Sequence, residues 1–171
     1  NTSISYNTMV NLPYTGISLG WGWGFNGQEV NGAFPLLQGA NSVCNNYIEN
    51  VMTYMWDGGA IYTLGRMDGS EIKNNYINKV NNDFGGIYLD NGSSGFTVTD
   101  NVLMNCHRNW IYKGDYNYLY DNYTRDDAVV GDLEMLEPLK SDEIHYRFEN
   151  NYMWDEAKVL AIRDAAGARN N

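Results

Sequence analysis

The stretch Ile72-Lys-Asn-Asn75-Tyr-Ile77 is one of six copies of a short pattern that reads apolar, any, any, Asn, any, apolar or small. The Asn residues of successive copies are separated by 39, 29, 26, 21 and 29 positions. Chance would not keep an apolar residue three positions before each of Asn7, Asn46, Asn75, Asn101, Asn122 and Asn151. A period in the twenties with short β-type runs predicts stacked structural repeats.

The repeat predicts an all-β fold in which each copy adds one turn to a parallel β-helix. Asn tolerates left-handed backbone conformations and bonds its own local backbone, so each Asn suits a tight corner between two strands. Stacked turns place equivalent Asn side chains about 4.8 Å apart, where their amides can form a ladder of hydrogen bonds. We therefore expect the six Asn residues to be structural.

A second strand follows the corner and keeps its own register. Its apolar column, predicted to face inward, is Ile17, Ile61, Ile87 and Ile111. The next position is then predicted to face outward, and it is occupied by Ser18, Tyr62, Tyr88 and Tyr112. Four positions before the Ile column stand Pro13, Asp57, Asp83 and His107. This last column carries most of the functional prediction.

Two segments leave the repeat. Residues 126–145 are acidic and break its rhythm, which indicates an insertion or lid-like loop. Residues 155–167 have a helical pattern, in which Asp155 can cap the start and Gly167 can end the helix. We expect this helix to cap the open end of the β-helix.

The predicted organisation is one domain, with β-helix turns over residues 1–154 and a helix with a tail over residues 155–171. A chain of 171 residues can bury a core but is short for a complete β-helix enzyme. Because the first copy of the pattern starts at residue 4, its strand edge would be open. We therefore expect the N-terminal remainder of a longer chain, or another copy, to cover that edge.

Composition limits the partners. The net charge is -10, the isoelectric point is about 4.4 and Lys and Arg form no cluster, so we do not expect nucleic acid or anionic membranes as ligands. No apolar run approaches the roughly 20 residues of a membrane span. Aromatic residues make up 14% of the chain, and aromatic faces stack on sugar rings. An uncharged oligo- or polysaccharide is therefore the expected partner.

Three carboxylates are candidate catalytic residues. Asp57 and Asp83 share a position on neighbouring repeats, so their carboxyl groups could lie about 5–5.5 Å apart, as in retaining glycosidases. Asp90 could instead pair with Asp57 at the separation of about 6.5–9.5 Å that admits an attacking water. Taken singly, each Asp is better explained as a turn residue, as in Asp57-Gly-Gly and Asp90-Asn-Gly. The set of three beside aromatic residues favours catalysis.

Further residues are predicted to bind the substrate. The string Gly20-Trp-Gly-Trp-Gly24 can project two indole rings, and a carboxylate follows it at Glu29. The full predicted binding set is Trp21, Trp23, Tyr62, Tyr88, Tyr112, His107, Arg66 and Glu29. We predict no metal site and no cofactor. Calcium at the Asp, Asp, His column is the alternative, although no recognised ligand motif supports it.

Residues 13–24, 57–65 and 85–95 resemble bacterial right-handed parallel β-helix proteins of the pectate-lyase-like superfamily. Within that superfamily the chain resembles glycoside hydrolase family 141, whose members include α-L-fucosidase and xylanase activities. The resemblance covers most of residues 4–124. It implies a secreted or periplasmic enzyme that degrades plant or host polysaccharides with paired Asp residues. The resemblance implies a catalytic role first for Asp57 and Asp90, which lie in the segments that match best. Asp83 is a candidate only because it shares a repeat position with Asp57.

Two other functions remain open. Many β-helix relatives are polysaccharide lyases or epimerases, whose chemistry needs a cation to stabilise the charge formed next to a uronate carboxylate. Here the groove strand offers Lys113, with Arg66 and Arg108 nearby. A non-catalytic carbohydrate-binding module would instead depend on the Tyr column and the Trp loop, and its Asp residues would be dispensable.

Overall fold

The computed structural model describes residues 1–20, 38–112, 116–124, 147–151 and 153–168. Within these ranges it describes only the backbone of residues 38, 82–84, 110–112 and 147–149. The predicted insertion at 126–145 lies outside the described residues. No helix in the described part of the chain combines the length and the apolar character that a membrane span requires.

The first of two parallel sheets takes one main strand from each repeat. Its described strands, in spatial order, are β1 (Ser3–Ser5), β5 (Ser42–Cys44), β8 (Arg66–Lys73), β10 (Ser94–Thr99), β12 (Tyr118–Tyr120) and β14 (Arg147–Glu149), and β4 (Gln38–Gly39) pairs with β8. The pairing aligns the apolar residues of the six-fold pattern, which are Ile4, Val43, Ile72, Val98, Leu119 and Phe148. Consecutive repeats are therefore neighbours in space.

The second sheet is also parallel and follows the same order of repeats. Its main path runs through β2 (Thr8–Val10), β6 (Tyr47–Val51), β9 (Tyr76–Leu89), β11 (Val102–Tyr112) and β13 (Tyr123–Thr124). Beside it, β3 (Ile17–Leu19) pairs with β7 (Ile61–Thr63), which pairs with the second half of β9. The predicted mainly-β chain with stacked parallel strands is confirmed.

The predicted Asn ladder is present. Each Asn donates a hydrogen bond from Nδ2 to Oδ1 of the next, at distances of 2.6–3.0 Å, along Asn7, Asn46, Asn75, Asn101, Asn122 and Asn151. From Asn46 onward these side chains are buried, and each Nδ2 also donates to the carbonyl of the apolar pattern residue one repeat earlier. The ladder thus joins both sheets at their shared corner.

The left-handed corner itself lies one residue earlier than the sequence analysis placed it. The residues with φ between 53° and 58° are those just before the ladder Asn, namely Tyr6, Asn45, Asn74, Asp100, Asp121 and Asn150. Asn and Asp dominate this set because their short polar side chains tolerate the left-handed region. The residue before the ladder Asn therefore makes the backbone turn. The side chain of the ladder Asn then points along the stack toward the next repeat.

The core fills the space between the sheets. It contains the described inward residues of both sheets, among them Val43, Ile72 and Val98 from the first and Ile17, Ile61 and Ile87 from the second. Both cysteines are free thiols, Cys44 on β5 and Cys106 on β11. Burial in the core raises the pKa of the Cys106 thiol to about 12, as expected for an unreactive core cysteine.

The C-terminal helix α1 (Glu156–Ala165) begins and ends as predicted. The Asp155 side chain accepts a hydrogen bond from Lys158 N at 3.1 Å, and Gly167 has a φ of 85° just past the last turn. The Asp155 cap satisfies a backbone N–H that the helix start leaves open, and Gly167 turns the chain out of the helix, where its N–H donates to Asn45 O at 2.9 Å.

The helix does not cap the open end of the stack, so that part of the prediction is wrong. Its buried Val159 instead packs against the outer face of the second sheet, in a cluster with Tyr76, Val102 and Tyr123. Beyond the helix, Ala168 N donates to Thr8 Oγ1 at 2.9 Å in the first repeat. The apolar column on the outside of the sheet lets the helix bury more apolar surface than the narrow end of the stack would.

We expect this helix to stabilise the stack of repeats by packing across three of them on the outside of the second sheet. Val159→Ala should lower the free energy of unfolding by about 1–2 kcal/mol, because it removes buried methyl groups from the contact with three repeats. Urea unfolding followed by circular dichroism measures the change. Ala161→Ser is the matched control on the exposed side of the same helix. Equal stability of the two variants would contradict the bracing role.

Candidate functional site

The predicted Ile and Tyr columns hold over three repeats. Ile17 pairs with Ile61 and Ile61 with Ile87, so Tyr62 and Tyr88 are register neighbours on the opposite side of their strands. Their rings meet edge to face, with centroids 5.1 Å apart. Tyr62 is half-buried, but Tyr88 is fully buried, which corrects the expectation that both would be exposed.

The fourth members of these columns are out of register. Between Val80 and Gly85 the strand β9 advances five residues while β11 advances two, so Tyr112 pairs with Leu89 and not with Tyr88. His107 lies inside this irregularity, and the column predicted through Asp83 and His107 does not continue regularly into β11. The side chains of Asp83 and Tyr112 are outside the described set.

Asp90 directly follows β9 and contacts the tyrosine pair. The Tyr62 hydroxyl donates to Asp90 Oδ2 at 2.7 Å, and Asp90 N donates to Thr63 O at 3.1 Å. Asp90 is only 4% exposed, which is unusual for a carboxylate. The turn after β9 and the neighbouring strand β7 therefore fix this carboxylate in one orientation.

Asp57 approaches the same tyrosines from a loop. It is exposed and has a φ of 58°. The Tyr88 hydroxyl lies 3.5 Å from Asp57 Oδ1, at the outer limit of a hydrogen bond, and the Tyr14 hydroxyl donates to Asp57 O at 2.7 Å. Asp57 and Asp90, which sequence analysis ranked first, thus flank one pair of phenols.

The electrostatics tie the four groups into one cluster, which we name the Tyr–Asp cluster: Tyr62, Tyr88, Asp57 and Asp90. Burial, the hydrogen bond to Asp90 and the charges of both carboxylates raise the pKa of Tyr62 far above its usual value. Burial and then the charges of Asp90 and Asp57 do the same for Tyr88. Both hydroxyls therefore stay protonated and act as hydrogen-bond donors.

The cluster predicts a loss of stability at alkaline pH. Unfolded tyrosine has a pKa of about 10, and the folded values of Tyr62 and Tyr88 are higher, so their stabilising contribution is complete below about pH 10 and declines as the pH rises above it. We expect Tyr62→Phe to make this decline shallower in urea unfolding measured between about pH 8 and pH 11. Tyr118→Phe, at an exposed position, is the control. A decline as steep as that of the unmodified chain would count against the cluster.

Sequence analysis missed an aromatic loop beside Asp57. Tyr54 is 83% exposed and Trp56 is 65% exposed, although large apolar rings normally avoid water. The loop begins where Met52 N and Tyr54 N donate to Tyr14 O and Pro13 O. The available signal was the string Tyr54-Met-Trp56 directly before Asp57, which the repeat pattern does not require.

Arg66 is not part of the Tyr–Asp cluster. It lies at the start of β8 in the first sheet and forms an ion pair with Asp68. The pair lines a groove together with Ser94 and Tyr116. The remaining predicted binding residues, Trp21, Trp23 and Glu29, lie outside the described residues. Among the side chains that are described, no three His, Cys, Asp or Glu residues are grouped in a way that could hold a metal ion.

Comparison with known proteins gives one informative likeness. No protein-family model matches the chain, and no curated protein matches it. A solved structure described as a glycoside hydrolase is similar, with a TM-score of 0.53 at 25% sequence identity. The match covers 98% of this chain and 22% of that one, so the chain spans about a fifth of the length of that solved structure. The chain is thus similar to part of a glycoside hydrolase.

Proposed function

We propose that the chain is a section of a right-handed parallel β-helix that hydrolyses glycosidic bonds in a neutral glycan. The observation that carries the proposal is the Tyr–Asp cluster, in which two carboxylates flank one tyrosine pair beside an exposed aromatic loop. Glycoside hydrolysis needs a general acid and a second carboxylate on either side of the bond that breaks. Membership of glycoside hydrolase family 141 and a secreted or periplasmic location in bacteria belong to the same proposal.

The two carboxylates differ in a way that suits different roles. Asp90 is buried and oriented by the Tyr62 hydroxyl, which suits the carboxylate that acts on the sugar carbon or on its attacking water. Asp57 is exposed on a loop and contacts the same tyrosine pair, so it is positioned to supply the second carboxylate that the reaction needs. In this scheme Trp56 and Tyr54 stack on sugar rings at the entrance.

A binding module without catalysis is the second candidate. The exposure of Tyr54 and Trp56 favours it, because a flat aromatic platform binds sugars without any carboxylate. The two candidates differ in what they require of Asp57 and Asp90. A hydrolase loses activity when either is changed, whereas a module keeps its affinity.

The test is hydrolysis of a panel of aryl glycosides and neutral plant polysaccharides by the full chain. Asp57→Asn and Asp90→Asn should both lose about 10²-fold or more in activity while keeping the circular dichroism spectrum and melting temperature of the unmodified chain. Saturable glycan binding without hydrolysis would replace the hydrolase by the module. Release of an unsaturated uronate from an acidic glycan would replace it by a lyase.

A further inference from the structure

A polar groove on the first sheet is not used by the Tyr–Asp cluster. It has a cavity volume of about 520 Å³ and is lined by Arg66, Asp68, Ser94 and Tyr116. Arg66 and Ser94 are register partners on β8 and β10, so neighbouring repeats supply the two walls. We call it the Arg66 groove.

The ion pair in the Arg66 groove presents donors and acceptors but no net charge. The Arg66 Nε group donates to both carboxylate oxygens of Asp68 at 2.9 Å, and the two side chains are 42% and 59% exposed. A guanidinium has five N–H donors and a carboxylate about four acceptor positions, so both retain capacity for a ligand. Sugar hydroxyls both donate and accept, and a neutral ligand is also favoured by the chain's net charge of -10.

Ser94 supplies an independent indication of a ligand. It is 4% exposed, and its buried hydroxyl has no hydrogen-bond partner among the described residues. An unpaired buried hydroxyl is unfavourable, so such groups in folded proteins usually have a role. A ligand hydroxyl in the groove would give Ser94 the missing partner.

Tyr116 forms the outer edge of the groove. It is 42% exposed and has a φ of 55°, and its carbonyl accepts a hydrogen bond from Gly95 N at 3.1 Å. Gly95 is needed beneath the ion pair, because a Cβ there would lie 2.6 Å from Asp68 Cα. An exposed phenol ring beside a neutral polar pair matches the apolar face and the hydroxyl rim of a sugar ring.

The Arg66 groove lies close to the Tyr–Asp cluster along both repeats. Tyr62 and Arg66 are four residues apart, as are Asp90 and Ser94, so each pair of Cα atoms lies within about 14 Å. We propose that the groove binds a distal sugar unit of a neutral oligosaccharide whose other end lies at the cluster. This inference rests on the proposed function, and it names the substrate as an oligomer instead of a single glycoside.

The test is calorimetric titration of the full chain carrying Asp90→Asn, to prevent turnover, with neutral hexasaccharides of xylose, glucose and mannose. Adding Ser94→Ala or Tyr116→Asn should weaken the affinity for the bound hexasaccharide about fivefold or more. Asn is chosen at position 116 because it tolerates the left-handed backbone. Ser94→Ala should leave the melting temperature unchanged or raised, which a purely structural hydroxyl would not do.

The exposed Tyr118 on the same sheet provides the control, and Tyr118→Ala should leave the affinity unchanged. Equal affinity in all variants, or no hexasaccharide bound at all, would overturn the proposal that the Arg66 groove binds a sugar unit. If the chain hydrolyses an oligosaccharide and neither Ser94→Ala nor Tyr116→Asn changes that rate, the proposal for the Arg66 groove is wrong and the proposed function stands. If the chain hydrolyses nothing but its hexasaccharide binding depends on Ser94 and Tyr116, the groove is supported and the proposed hydrolase is wrong.

Discussion

Replacing Asn75 by alanine is expected to lower the free energy of unfolding by roughly 3–5 kcal/mol. The Asn75 side chain is fully buried and makes four hydrogen bonds. Its Oδ1 accepts from Asn46 N and Nδ2, and its Nδ2 donates to Asn101 Oδ1 and Val43 O. Removing it leaves the Asn46 N–H buried without a partner, at about 1–3 kcal/mol, and also takes one hydrogen bond from Asn101 Oδ1 and one from Val43 O.

The matched control is Asn78→Ala. Asn78 lies three residues later, half-buried on the outside of β9, where it donates to Glu49 at 3.1 Å and accepts from Asn105 at 2.8 Å. Water can replace both partners there, so the expected loss is about 1 kcal/mol or less. Urea unfolding of the two variants measures the difference. Similar losses for both would mean that the buried ladder contributes no more than a surface amide pair.

The repeat pattern predicted the ladder because one physical requirement recurs at one spacing. An Asn that must bond the Asn of the next repeat cannot be replaced by a residue of another shape, so all six copies remain visible in the sequence. The inward Ile17, Ile61 and Ile87 were predictable for the same reason. Strand β11 was not, because Trp110 and Ile111 are both apolar and either could continue the column.

The site was only partly predictable. Asp57 and Asp90 were predicted as candidates from position and residue type, and the structure places both beside the tyrosine pair. The burial of Tyr88 and the separation of Arg66 from the cluster depend on how the chain turns between strands, which no local pattern records. The position of the helix was missed because sequence alone does not show which element covers an outward apolar column. The column of Tyr76, Val102 and Tyr123 could equally be an exposed binding surface, but the helix packs on it.

Replacing Asp90 by asparagine is expected to lower kcat/KM by about 10²–10⁴-fold, the usual contribution of a positioned acid or base. Asparagine has the size of aspartate and can still accept the Tyr62 hydrogen bond, so folding and glycan affinity should be retained. The loss should therefore fall on kcat and not on KM, as for an interaction made in the transition state. Steady-state kinetics on the best substrate of the panel separate the two constants.

Two further variants distinguish chemistry from general electrostatics. Tyr62→Phe keeps the ring contact with Tyr88 but removes the hydroxyl that orients Asp90, so its loss of kcat should be smaller than that of Asp90→Asn. Asp100→Asn changes a charge at a ladder corner, where Asn fits the left-handed φ of 54°, and should leave both constants unchanged. If Asp100→Asn reduced kcat as much as Asp90→Asn, the loss would reflect net charge. Catalysis could then not be assigned to the Tyr–Asp cluster. A carboxylate that takes part in the reaction must affect kcat through its position next to the substrate, and not only through its negative charge.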